Sequence, residues 1–140
     1  MNPVTEDLKD LMVEKGLGKF AGTAPWGIFI AKEPTEPINS ITLFDTTGIR
    51  EVTKAYNSPN YFYPSGFQVR VRGTSYLEAK SKIDDIISAL DRVGRFSSQH
   101  WNYKNVVFIG EPQPFPMVGD FFIWTVNGTA FRQIRNQQGE

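Results

Sequence analysis

The chain contains no cysteine, which excludes disulfide staples, thiolate metal sites and thiol nucleophiles together. Histidine occurs once, as His100. A catalytic triad or a zinc site built on it would have to gather its other groups from distant carboxylates, so we read His100 as a loop residue between a helix and a strand. An excess of charge is also missing. Fifteen Lys and Arg balance fifteen Asp and Glu, which removes any bulk attraction to nucleic acid or to an anionic membrane. No apolar run approaches the roughly 20 residues of a membrane helix. The opening MNPVTEDLKDL is acidic and has no apolar h-region, unlike a secretory leader. Internal repeats and low-complexity tracts are absent from the sequence. The expectation is one domain of 140 residues in cytosol-like solvent, with a frayed tail over 136–140, no metal, no cofactor and no membrane partner.

Aromatics are plentiful, at 14% of the chain. They bury large areas and concentrate at interfaces, so part of this excess is available to a partner. Motifs for chemistry are weak by comparison. Gly16-Leu17-Gly18-Lys19 lacks the leading glycine, the following Ser or Thr, and the preceding strand of a phosphate loop. Asp84 and Asp85 are adjacent on a helix and point apart, so they form a solvated face rather than an acid/base pair. Asn127-Gly128-Thr129 fits a glycosylation sequon, but a hairpin explains the same residues better.

The periodicity predicts a short helix over 5–15, capped by Thr5 and stopped by Gly16 and Gly18. Strands are expected over 26–31 and 41–44, the second ended by a turn at Asp45-Thr46-Thr47-Gly48. Residues 49–66 read as a long loop containing Tyr61, Phe62 and Tyr63. Residues 67–72 alternate cleanly: Phe67, Val69 and Val71 point one way, and Gln68, Arg70 and Arg72 the other. Gly73 ends that strand, and Ser75-Tyr76-Leu77-Glu78 matches a capping box opening a helix that runs to about Val93. A nearly continuous apolar strand over 105–110 is expected at the centre of a sheet. Pro112, Pro114 and Pro116 then enforce an irregular segment. A strand over 121–126 and another over 129–134 would be joined by an Asn127-Gly128 hairpin, with Trp124 opposite Phe131. The fold class is therefore α+β: a single, mostly antiparallel sheet, one main helix packed on a face, and a short N-terminal helix.

Two constellations remain unexplained by folding. Arg70 and Arg72, spaced by two on a strand, project from one face, where they can meet solvent, carboxylates or phosphate. Arg95, Arg132 and Arg135 could extend that face. The aromatics Tyr61, Phe62, Tyr63, Phe115, Phe121, Phe122 and Trp124 would drive association if exposed, or fill the core if not.

Three segments carry a resemblance. Ile41-Thr42-Leu43-Phe44-Asp45-Thr46, the Tyr63-Pro64 pair, and Gln68-Val69-Arg70-Val71-Arg72-Gly73 followed by Tyr76-Leu77-Glu78-Ala79 together look like the tail terminator proteins of long-tailed bacteriophages. That family is also described as tail completion or minor capsid proteins. The resemblance spans about 26–126. It implies a small α+β subunit that forms a ring, usually a hexamer, on the head-proximal end of the tail tube. Such a ring ends tube polymerisation, offers a docking surface to head-completion or connector proteins, and lets DNA pass through its lumen. It implies a virion protein assembled in the host cytoplasm, with no catalytic centre and no cofactor. On this reading Arg70 and Arg72 belong to the ring interface or lumen wall. Tyr61, Phe62, Tyr63, Phe115 and Trp124 join them in contacts with neighbouring subunits or virion partners. The rival class is a small nucleic-acid-binding module using the Arg70/Arg72 strand and nearby aromatics; a small enzyme is a third.

Overall fold

The structure is a computed structural model describing residues 2–46, 62–116 and 119–135. Its frame is a seven-stranded sheet in the order β1-β2-β3-β4-β7-β6-β5. The strands are β1 (Lys19–Phe20), β2 (Gly27–Ile30), β3 (Ser40–Thr46), β4 (Tyr63–Gly73), β5 (Phe96–Ser97), β6 (Trp101–Pro114) and β7 (Phe122–Ile134). β1, β2 and β3 run parallel to one another, and the remaining pairings are antiparallel. The α+β class holds, with a mixed sheet. Helices α1 (Val4–Glu14) and α2 (Tyr76–Asp91) both touch β4. Their buried residues Leu8, Met12, Ile83 and Ile86 share one core with Phe67, Val69 and Val71, so both helices lie on the same face of the sheet. The opposite face carries no helix among the described residues.

The alternation in β4 is as expected: Phe67, Val69 and Val71 are fully buried against the helices, and Gln68 and Arg70 are only partly covered. At α2, Ser75 accepts a hydrogen bond from the Glu78 amide at 3.2 Å, so one half of the capping box forms. Gly16 and Gly94 follow the helices in the left-handed region, at φ 75° and 64°, which suits residues without a Cβ at helix ends.

Several expectations are corrected. Thr5 is not a cap. It lies inside α1, whose N-cap is Pro3 without a side-chain hydrogen bond, and its hydroxyl donates to Asp45 at 2.9 Å. Asp45 and Thr46 continue β3 rather than turning, and Tyr63-Pro64-Ser65-Gly66 begins β4 rather than ending a loop. Tyr61 lies outside the described residues. The largest correction concerns Asn127-Gly128, which forms no hairpin. β7 runs straight through it for 13 residues. Gly128 pairs with Phe67 on one side and Phe108 on the other. A Cβ on it would fall 2.4 Å from the Phe67 ring, so the glycine makes room for a buried ring rather than a turn. Trp124 consequently lies opposite Val71, and Phe131 opposite Pro64.

β6 is also not central. It pairs with β7 along its length, but on its other side only Asn102 and Tyr103 meet β5. The rest of that side is a free edge among the described residues. This explains why a strand can include Pro112 and Pro114: an edge position spares them a ladder donor. Val107 and Ile109 are exposed because they alternate with Val106 and Phe108 onto the helix-free face.

Candidate subunit-contact surface

On the helix-free face, one row of paired residues crosses five strands: Gln113, Thr125, Arg70, Thr42 and Phe29. Two segments fold over this face near that row. One is the connection 31–39 between the parallel strands β2 and β3. The other follows β6, where Phe115 returns to donate its amide to Ile123 at 2.9 Å. The two arginines of β4 hold these segments. Arg72 is 7% exposed. Its guanidinium donates to the carbonyls of Pro34, Pro37 and Ile38, with Nε at 3.0 Å from Ile38, and lies over the Phe121 ring at 5.1 Å. Arg70 lies over Phe115 at 5.1 Å and forms an ion pair with Glu33 at 3.2 Å. That pair is close in distance but poorly aligned, because Arg70 Nε and Glu33 Oε2 are both buried without a hydrogen-bond partner, as is Thr42 Oγ1 beside them. Buried polar atoms are satisfied in the great majority of cases, so this trio marks an incompletely satisfied polar patch.

The other sequence-selected residues fall elsewhere. Trp124 is on the helix side and buried, donating its indole N–H to the Tyr76 carbonyl at 3.2 Å with ring centroids 5.0 Å apart. Tyr63 sits at the far end of β4 from the arginines and meets Trp101 edge-on at 5.9 Å. Phe62 lies under Arg95 at 5.9 Å. The structure thus brings Arg70, Arg72 and Phe115 together and leaves Phe62, Tyr63 and Trp124 apart from them.

The sequence reading missed a buried polar cluster that fastens α1 to the sheet. Asp7 accepts from the Tyr103 hydroxyl, from Ser98 at 2.9 Å and from Asn2 at 3.3 Å. Arg132 donates to Tyr103 and to the Asn2 carbonyl, and its guanidinium stacks 3.9 Å from the Trp101 ring centroid. Burial, and next the Asp7 carboxylate, push the Tyr103 phenol well above its ordinary value. The place of Asp7 in the first turn of α1 accounts for an acid there locally, so nothing in the sequence pattern points to its partners, which lie 91 and 96 residues away. His100 has a buried Nδ1 without a partner. No group of three or more His, Cys, Asp or Glu that could hold a metal occurs among the described residues.

A sequence profile described as "Bacteriophage tail terminator protein" matches residues 11–133. The chain belongs to the tail terminator family. It is therefore a structural protein of the phage tail, from a family that is not an enzyme class, and its place is in the virion. A solved structure described as "Virion of native gene transfer agent (GTA) particle" shares the fold, with a TM-score of 0.62 and 15% identity, covering 94% of this chain and 95% of the other. No match was found among curated proteins. For this tail terminator, the surfaces that matter are those open to contact with other virion proteins.

Proposed function

We propose that this tail terminator forms a closed ring, of six protomers, on the head-proximal end of the tail tube. The ring stops further addition of tube subunits and then presents its other side to head-completion or connector proteins, with DNA passing through the lumen. The protein is proposed to act by contact alone, as one domain, without a catalytic centre or cofactor. The observation that carries this reading is the helix-free face: a full sheet face with an incompletely satisfied polar patch, exposed Val107 and Ile109, and a Phe115 that is 40% exposed. Exposed apolar side chains on one face beside unsatisfied polar groups are what a contact surface offers.

Within this reading Arg70 and Arg72 work indirectly. They hold the 31–39 segment together with Phe115 and Phe121, and the outer surfaces there, Phe115 included, meet a neighbour. Phe62 and Tyr63 serve a contact at the opposite end of β4. Trp124 supports Tyr76 and Leu77 at the start of α2, which are 45% and 74% exposed. The nucleic-acid-binding alternative is disfavoured by Arg72, whose donors go to three backbone carbonyls. A ring of net-neutral protomers also passes DNA without retaining it, because phosphate affinity grows with the number of cationic contacts.

Native mass spectrometry at micromolar concentration tests the proposal. The expected species is a discrete ring, either alone or on addition of tail tubes. A monomer that ignores tubes and binds single-stranded nucleic acid with a steep salt slope would replace this reading with the alternative.

A further inference from the structure

The two edges of the sheet are unlike, and each carries a feature of its own. At the β6 edge, the register with β7 slips between Ile109 and Gln113. Gly110, Glu111 and Pro112 stand opposite the single residue Val126, an excess of two that forms a bulge on the free edge, with Gly110 at φ 73° and open space around it. Ile109 is 62% exposed. Glu111 is exposed and has no ion-pair partner among the described residues. Bulges at sheet edges re-aim side chains and block indiscriminate edge pairing, so a bulge that presents an apolar residue beside an acid reads as a designed contact.

Near the other edge, on the helix side of β1 and β2, lies a cavity of about 790 Å³ lined by Val13, Leu17, Gly18, Lys19, Trp26 and Lys82, among others. Its walls are mostly apolar, and its charged side chains are both cationic. The Lys82 ammonium lies 5.5 Å from the Trp26 ring centroid. Burial lowers the Lys82 pKa, against a smaller opposing effect of Asp85, so this cation is partly stripped of water and only weakly compensated.

We infer that the Ile109–Pro112 bulge of one protomer seats in the Trp26/Lys82 cavity of the next, with Glu111 meeting Lys19 and Lys82. The occupant is a second copy of this chain, on two grounds. The charges are complementary, an unpaired acid on one edge facing two cations on the other. The bulge is small enough for the cavity volume. The row at the bulge runs across the sheet to Ile30, four residues from Trp26, so the contact also steps by about 13 Å along the strand direction from one protomer to the next. A contact between opposite edges of the same subunit is heterologous. It repeats by one operation and closes into a ring when the rotation allows. The ring itself rests on the tail terminator reading; the knob and its socket are the new element.

Because the chain has no cysteine, engineered thiols report on this contact alone. Mixing Glu111→Cys protomers with Lys19→Cys protomers under mild oxidation in assembled rings should give cross-linked dimers, and the doubly substituted chain should give a ladder ending at the ring size. A control pair, Ser81→Cys with Ser88→Cys on exposed positions of α2, should give neither. Glu111→Lys should raise the concentration needed for assembly by about tenfold or more, and Lys82→Glu should restore it in the double variant. Rings that form normally with Glu111→Lys and never cross-link overturn this interface while leaving the tail terminator reading standing. A protein that forms no ring and does not engage tail tubes overturns both.

Discussion

Arg70 and Arg72 stand two positions apart on the same strand face, yet their surroundings differ enough to separate them by experiment. Arg72 is buried and donates to three carbonyls. Arg72→Met leaves those acceptors unsatisfied and should cost about 3 kcal/mol in urea unfolding. Arg70 is a quarter exposed and its ion pair is misaligned, so Arg70→Met should cost under about 1 kcal/mol. Equal costs would contradict the assignment of Arg72 as the anchor of the 31–39 segment. Gly128→Ala, in the middle of β7, should cost about 2 kcal/mol or more, because the added methyl meets the buried Phe67 ring. A neutral result would mean that the ring is free to move aside. The residue identities alone were sufficient to select the arginine pair and Phe115. They were not sufficient to show that Arg72 points into a cradle of carbonyls, because those carbonyls belong to a segment about 35 residues earlier.

Among the elements, α1 depends most on long-range partners. It is fastened through Asp7, Tyr103 and Arg132, not through a cap of its own. Asp7→Ala should therefore release the helix locally, seen as loss of hydrogen-exchange protection over Val4–Glu14 before any loss over β4. Uniform loss over both would show that the helix and sheet open as one unit. The same cluster gives an alkaline signature. The folded state raises the Tyr103 pKa above its ordinary value of 10.0, so the neutral phenol is the form that folding favours. Its contribution is fully present below pH 10 and is lost as pH rises beyond it, because the unfolded chain ionises first. Stability should fall above about pH 10, and Tyr103→Phe should flatten that fall. The two helices and the strands β2 to β4 were legible from period, and the start of α2 from its cap, as Ser75 and the alternation of β4 show; the start of α1 and the unbroken inner strand β7 were not. The two-residue strands β1 and β5 were not, since two residues carry no period. Asn127-Gly128 has the composition of a turn, and only the ring of Phe67 packed against Gly128 reveals why it lies in a strand.

At the scale of the whole molecule, one face of the sheet is closed by helices, and among the described residues the other carries two pinned segments. Its outer edges are only partly paired, by β1 and β5. In the proposed ring, such a protomer is completed by its neighbours. The absence of cysteine and of excess charge was legible from the start, and so was the family through the β3, β4 and α2 segments. The edges were not, because periodicity places 105–110 in a sheet without saying on which side of it. The central claim, that this chain ends tail-tube growth, is tested most directly by electron microscopy of tail tubes polymerising in its presence. Tubes should stop at a fixed length, each with a ring at one end, and should lengthen without limit when the protein is withheld. Tubes that grow equally long with and without it, and carry no ring, would contradict the claim.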